Sequence, residues 1–329
     1  MTTQVLVTHV PEDDERKAIQ DGLVGLAHIA YLKETERKNR FRSLQQADVV
    51  LSKSFSSEEV LREEIPALAN VRLIQLVFAG ADNVPFGLLP ENVTVAGNTG
   101  AFAEPLAEHV MAMVLALAKS LVPKHRLLEK GLFDQTGLNT RLKGGVCGIV
   151  GLGGNGVAVA NIMRVFGMKI YAVDVGSRPK IEVDFFGTPH ESLEAVLSAS
   201  DVLVLTVPLT KSTRGMIGRK ALKAMKPNAI LINVARGPVI DQESLFGHLK
   251  ENPQFRVGID TWWEEPGSHG AFRLKYPFFE LPNFIGSPHV ADMVPGMMLE
   301  ATRRAVENIK KHLQGEKIEG SLSRQDYFE

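Results

Sequence analysis

Cysteine is nearly missing from this chain. Its one cysteine, Cys147, lies in the apolar run Gly145-Val-Cys-Gly-Ile-Val150, which excludes a disulfide framework or a cysteine-based metal site and reads as a buried strand. No metal site of any kind is expected. Neither sign of charge is in excess. With 37 Lys and Arg against 38 Asp and Glu, the chain has no basic footprint for nucleic acid or an anionic membrane, which favours small-molecule partners. Long hydrophobic runs are absent too. The longest, residues 110–118, falls well short of the roughly 20 residues of a membrane span. The start Met1-Thr-Thr-Gln-Val-Leu-Val has neither the basic nor the apolar region of a signal peptide. With so little cysteine, a reducing cytoplasm is the expected compartment.

What is present is an alternation. A length of 329 residues exceeds what a single core usually fills, so two domains are expected. In the first hundred residues, β-rich runs at 4–8, 47–51, 71–77 and 93–97 alternate with helical patterns, one of them over 57–68. That is the rhythm of a parallel, doubly wound sheet. A second series of runs at 146–150, 169–173, 202–207, 229–234, 255–259 and 284–287, separated by helical segments such as 191–198 and 242–250, has the strand rhythm of a Rossmann domain. Between the two series the pattern predicts one long helix over 104–122, with Pro105 near its start and Pro123 just past its end. Its 110–118 section is apolar on every side and must be buried all round, at a subunit interface by preference or else in an intrachain core. A last helix over 296–313 follows the second series and is free to return to the first.

The loop Gly151-Leu-Gly153-Gly154-Asn155-Gly156 matches G-x-G-x-x-G, a weak signal alone. Here a strand precedes it, a helical pattern follows, and the next strand ends in an acid, Asp174, 18 residues beyond Gly156. In that context the glycines allow a tight turn and close backbone approach, and a pyrophosphate can sit on the helix N-terminus. The carboxylate at 174 would accept from ribose hydroxyls and repel a 2′-phosphate, so NAD is expected over NADP; Arg178 nearby reads as a solvated cation.

Three polar residues each follow a predicted strand of the second series: Arg236, Glu265 and His289. An arginine can fork onto a carboxylate, a histidine can exchange a proton with an oxygen, and a glutamate can hold that histidine charged. His9, ending the first strand, and His269, in a loop, are the rivals to His289. His28, His125, His190, His248 and His312 read as helical or loop positions, and His109 lies on the apolar helix beside Glu108. Asp260 also follows a strand and reads either as a contact to the nicotinamide end of a cofactor or as a turn cap.

These segments together resemble the D-2-hydroxyacid dehydrogenase family. The likeness covers nearly the whole chain: Asn98-Thr-Gly-Ala-Phe-Ala-Glu-Pro-Leu-Ala-Glu108-His109, the glycine loop, Thr206-Val-Pro-Leu-Thr210, residues 233–241, 260–266 and Ser287-Pro-His289. It implies two doubly wound parallel-sheet α/β domains with the active site between them. One would be a Rossmann NAD-binding domain over 100–291, the other a smaller, discontinuous, flavodoxin-like substrate domain over 1–99 plus 292–329. It also implies a homodimer formed through the cofactor domain and the 104–122 helix. By the same resemblance Val207, Pro208, Ala235 and Asp260 join the glycine loop and Asp174 around the cofactor. Backbone N–H groups of Phe78, Ala79 and Gly80 would hold the substrate carboxylate, and Arg236 would bind both carboxylate and carbonyl. Protonated His289, oriented by Glu265, would donate to the carbonyl oxygen of a small 2-oxo acid as NADH reduces it to a D-2-hydroxy acid. The family often has tryptophan where Phe133 stands; the residues that discriminate substrates are expected around Phe78, Phe133 and Trp262, with Trp262 and Trp263 reading equally as packing residues. A non-enzymatic NADH-sensing protein resembling the C-terminal-binding corepressors is the alternative.

Overall fold

Runs of four or five valine, isoleucine and leucine residues, flanked by polar turns, form strands whose two faces are both covered, and the chain builds two all-parallel sheets from them. The computed structural model describes residues 3–179 and 181–327. It divides into two units, Met1–Phe102 with Val294–Glu329, and Ala103–Met293.

In the first unit β1 (Gln4–Val7), β2 (His28–Tyr31), β3 (Val49–Ser52), β4 (Leu73–Leu76) and β5 (Thr94–Ala96) pair in the order β2-β1-β3-β4-β5, every pair parallel. The helix Met297–Leu313 packs here, against Asp13–Leu23 and β4. β3 and β4 are buried along their whole length. Gln75 is the polar exception in β4, and its amide is answered: its Oε1 accepts from Asn308 Nδ2 at 2.6 Å, while its own NH2 donates to the Leu76 carbonyl at 2.8 Å.

The second unit holds β6 (Val146–Val150), β7 (Lys169–Val173), β8 (Phe185–Gly187), β9 (Val202–Leu205), β10 (Ile230–Asn233), β11 (Arg256–Ile259) and β12 (Phe284–Gly286). Their order is β12-β11-β10-β9-β6-β7-β8, again all parallel. Strand order reverses at β6, whose neighbours are β7 and β9, and ligands of open α/β sheets bind at the carboxyl ends of the strands beside such a reversal. Cys147 lies inside β6, where burial pushes its thiol pKa well up and keeps it inert.

Several expectations need correction. The two strands that sequence patterning misses, β2 and β8, are the edge strands that carry only partly buried residues; His28 opens β2 instead of lying in a helix or loop. The helix expected over 57–68 is a 3-10 segment, Arg62–Asn70, because Pro66 inside it supplies no N–H. The single helix expected over 104–122 is two, Ala103–Ala118 and Leu121–Glu129, broken at Ser120 with φ 51°. Thr140 donates to the Ala118 carbonyl at 2.8 Å and so satisfies the end of the first helix, while Pro123 falls in the first turn of the second. Leu106, Ala107, Val110, Met111, Met113, Val114, Leu117 and Ala118 of the first helix are buried within its own unit, against β10, β11 and the helix Gly154–Val165, while Glu104, Glu108 and Ala112 are exposed. The intrachain core accounts for the faces carrying those buried residues, while Leu115 and Ala116 are only half-buried. Among the described residues no single helix is long and apolar enough to cross a membrane.

Asn308 also fixes the C-terminal segment of the first unit, donating to the Glu319 carbonyl at 3.0 Å and accepting from the Glu319 N–H at 2.8 Å. Asn308→Ala leaves the buried Gln75 oxygen and the Glu319 backbone without these partners, a loss of about 1–3 kcal/mol. A clear fall in Tm is expected, and an unchanged thermal melt would refute this.

Candidate active site

Six consecutive positions along the second sheet's carboxyl edge carry the site. After β6 the chain turns at Gly151, whose φ of 98° lies in the left-handed region, and enters the helix Gly154–Val165 through Gly153. A side chain at Gly156 would put its Cβ 2.1 Å from the Gly151 carbonyl oxygen, so only glycine lets the helix start this close to the turn. Gly153 is the opposite case, because a Cβ there meets no protein atom within 4 Å. Its backbone therefore faces open space beside a twelve-residue helix N-terminus, where N–H groups and the helix dipole receive an anion. Gly154 and Asn155 are the next two residues of that turn, and the Asn155 side-chain oxygen is buried and unpartnered, so what Asn155 offers an anion is its N–H.

Asp174 ends β7 and holds the loop: its Oδ2 accepts from the Leu152 N–H at 2.6 Å and its Oδ1 from the Gly176 N–H at 3.0 Å. A carboxylate has more acceptor sites than these two, which leaves capacity for ribose hydroxyls. Beyond β9, Thr206 donates to the Gly151 carbonyl at 2.6 Å, and Val207 flanks Gly151, with Pro208 exposed next to it. These residues fit a dinucleotide: a bare anion cradle, an acid for the ribose, and an apolar flank.

After β10, Asn233 builds the turn that presents Arg236. Its side chain accepts from the Ala235 N–H and donates to the Arg236 carbonyl, both at 3.0 Å. Ala235 is buried in that turn, and its carbonyl accepts from Arg236 Nη1 at 2.7 Å. Gly237 then lets two loops touch, since a Cβ there would lie 2.2 Å from the Trp262 carbonyl carbon. Trp263 ties the same loops, its indole N–H donating to the Ile240 carbonyl at 2.7 Å. Thus the loop after β10 lies against the loop after β11.

Glu265 and His289 meet. His289 Nδ1 lies 2.8 Å from Glu265 Oε2, and the other oxygen, Oε1, accepts from the Trp262 N–H at 2.7 Å. Trp262 reaches further, its indole N–H donating to the Ser287 carbonyl at 2.8 Å, and its ring packs against Phe272, Phe279 and Phe284. It is buried and holds the two loops together, in keeping with the packing reading. Phe133, also expected near the pocket, is 78% exposed.

The hydrogen bond to Glu265, reinforced by that carboxylate's charge and by Asp260, raises the His289 pKa against burial and the Arg236 charge. Burial alone would raise the Glu265 carboxyl, but its hydrogen bonds from His289 and Trp262 and the nearby His289 and Arg236 charges bring it below its ordinary value. An ionised carboxylate only accepts, so His289 carries a proton on Nδ1 and Nε2 is its outward nitrogen. Arg236 acts on both partners, so the sheet edge brings the three predicted residues into one electrostatic group.

The rivals behave differently. Burial drives the His9 pKa down to about 4, which leaves it neutral near pH 7. His269 is exposed, and its Nδ1 accepts from the Glu265 backbone N–H at 3.4 Å, closing the short helix Pro266–His269. Asp260 is 1% exposed, and its carboxylate receives the Ser287 hydroxyl, the Val290 N–H at 3.1 Å and the Ala291 N–H at 3.3 Å. Those bonds are a turn cap. In the first unit Phe78 follows β4, but its N–H already donates to the Lys53 carbonyl at 3.0 Å. The substrate-carboxylate donors expected over Phe78, Ala79 and Gly80 therefore narrow to Ala79 and Gly80. Sequence reading assigned no building role to Asn233 or Ser287 and gave Gly237 only a turn; the asparagine and glycine bracketing Arg236, and the serine two residues before His289, were the available signals.

The two glycines separate binding from folding. Gly156→Ala is expected to lower Tm and weaken NADH binding, whereas Gly153→Ala should keep Tm and still raise the NADH dissociation constant about tenfold, or ~1.4 kcal/mol. Fluorescence titration and thermal melts read both, and unaltered affinity in Gly153→Ala would discredit the cradle.

Residues 111–291 match the family model described as D-isomer specific 2-hydroxyacid dehydrogenase, NAD binding domain. Among similar proteins, a glyoxylate reductase of Thermococcus litoralis is 32% identical over 266 residues, 78% of this chain and 77% of that one. A hydroxypyruvate reductase of Thermotoga maritima is 29% identical over 84% of this chain and 89% of its own. A glycerate dehydrogenase related protein of Thermoplasma acidophilum has a solved structure that aligns with a TM-score of 0.62 at 29% identity, over 94% of this chain and 99% of that one. The glycine cradle, the acid after β7 and the histidine–glutamate pair thus accompany a match over more than half the chain, and the protein belongs to the D-isomer specific 2-hydroxyacid dehydrogenase family, as an NAD-dependent oxidoreductase.

Proposed function

We propose that the chain reduces small 2-oxo acids to D-2-hydroxy acids, with glyoxylate and hydroxypyruvate as the first candidates because relatives carry those names. The observation that carries this reading is the 2.8 Å bond between His289 Nδ1 and Glu265. It keeps the imidazole charged and leaves Nε2–H as the proton donor to a carbonyl oxygen. Arg236 forks onto the substrate carboxylate and polarises the carbonyl beside it. Bound NADH supplies the hydride to the carbonyl carbon. Glu265 stays ionised throughout, so the imidazole left after proton transfer regains its proton from solvent. The enzymatic names of the relatives support this reading over the NADH-sensing alternative. The carboxylate of Asp174 supports a preference for NADH over NADPH.

The homodimer through the cofactor domain and the 104–122 stretch belongs to this proposal, with its surface extended past residue 122. Leu121, Leu128, Leu132, Phe133 and Leu138 are all more than half exposed, and exposed apolar side chains on the helix Leu121–Glu129 and the segment after it favour association there. We read the protein as a cytoplasmic dimer of this kind. Light scattering is expected to give twice the chain mass, and a monomer at micromolar concentration would count against it.

His289→Gln should lose about a hundred- to ten-thousand-fold in turnover while NADH affinity holds. Reduction needs protonated His289, whose pKa is raised, so wild-type activity is full at low pH and falls as pH rises through that raised value. Glu265→Gln removes the main cause of the raise and should move this alkaline limb to lower pH. A panel of glyoxylate, hydroxypyruvate, pyruvate and phosphohydroxypyruvate, followed by NADH absorbance, ranks the substrates. No turnover on any of them would overturn the reading.

A further inference from the structure

His289 has φ 54°, a left-handed conformation that a side chain other than glycine adopts at a cost of roughly 1–3 kcal/mol. The surroundings of the turn show what imposes it. Ser287 N–H continues the β12 ladder to the Ile259 carbonyl at 2.9 Å, and His289 N–H donates to the Asp260 carbonyl at 2.8 Å. The Asp260 carboxylate then gathers the Ser287 hydroxyl and the N–H groups of Val290 and Ala291. The turn is thus folded around one carboxylate.

That arrangement has one further member, on a different element. His109 stands on the buried helix Ala103–Ala118, and its Nε2 lies 2.9 Å from Ser287 Oγ and 3.5 Å from Asp260 Oδ1. Because the Ser287 hydroxyl proton points at Asp260, Ser287 Oγ can only accept from His109, which fixes the His109 proton on Nε2. His109 Nε2–H therefore donates to Ser287 Oγ and Ser287 Oγ–H to Asp260, whose carboxylate also accepts from the Val290 and Ala291 N–H groups on the far side of His289.

We infer that His109 is a positioning residue for the acid: through Ser287 and Asp260 it clamps the left-handed turn so that His289 stays against Glu265. The inference rests on the reading of His289 as the proton donor. It gives a role to a residue outside the Arg236, Glu265, His289 group. The charged groups facing the His289 imidazole are Glu265, Arg236 and Asp260, and His109 touches only the last of these. Loosening the turn weakens the contact with Glu265 while Arg236 and Asp260 keep their charges.

The test is His109→Phe, which keeps bulk on the buried helix and removes the N–H, beside His109→Gln, whose amide restores a donor. In His109→Phe, kcat for 2-oxo-acid reduction should fall by roughly ten- to a hundredfold, as for a misplaced catalytic group, with KM for NADH unchanged. The alkaline limb of the pH profile should move to lower pH, and His109→Gln should recover most of both. NMR titration of the His289 imidazole, assigned by its loss in His289→Gln, reads the same displacement without turnover. If His109→Phe does not fold, Ser287→Ala breaks the same chain by one atom. A wild-type kcat and a wild-type His289 titration in a folded variant overturn the inference, even where Tm has dropped. A wild-type protein that reduces no 2-oxo acid would instead refute the proposed function, while the titration would still decide whether His109 holds the turn.

Discussion

A carboxylate buried at the end of β11 sets the geometry of this site. An ionised side chain removed from water is several kcal/mol unfavourable unless hydrogen-bond donors close around it. Asp260, 1% exposed, finds them in the segment that follows β12: a hydroxyl at 287 and two backbone N–H groups at 290 and 291. A chain that delivers donors from both sides of residue 289 to one carboxylate must reverse sharply between them, and the reversal falls on His289 itself. The position of the acid is thus a by-product of satisfying a different charge. Glycine would relieve the strain there, and it would also remove the imidazole.

The partner of that imidazole is held by a second constraint, close packing between neighbouring loops. Gly237 lets the turn after β10 rest on the Trp262 backbone, and Trp262 then serves three loops at once. Its backbone N–H takes one oxygen of Glu265, its indole N–H takes the Ser287 carbonyl, and its ring fills the space beside Phe279 and Phe284. Large aromatic area with one polar tip suits such a junction. The separation of 24 residues between Glu265 and His289 in sequence is closed by two adjacent parallel strands and by this one side chain.

Much of this was legible before any coordinates. Buried parallel strands announce themselves as continuous apolar runs, and a polar residue just past such a run sits at the carboxyl edge of a sheet. Gly151, Asp174, Arg236, Glu265 and His289 could all be placed that way. Edge strands β2 and β8 could not, because a partly exposed strand of three or four residues carries no such run. The break at Ser120 depends on Thr140, 20 residues away, taking the Ala118 carbonyl, and local patterning has no access to it. Asp260 was readable as two things, and only its burial and donor set display the cap. Phe78 looked like a substrate donor until the Lys53 carbonyl turned out to use its N–H. His109 was visible as part of a motif, but a contact across 178 residues of sequence gives no periodic signal.

The charges of the three central residues make a consistent set. Arg236 and protonated His289 are two cations beside Glu265, and Asp260 adds a second carboxylate near the imidazole, so the cations and carboxylates around the ring balance. Arg236 opposes protonation of His289, and Glu265 outweighs it because it is hydrogen-bonded to the ring while the arginine acts only through space. Under the proposed reading, a substrate carboxylate on Arg236 would offset that opposition at the moment when the proton is needed. The same pairing explains why the histidine's partner must be an acid in this chain. A neutral amide at 265 would remove the main cause that raises the His289 pKa and leave burial and the Arg236 charge opposing protonation.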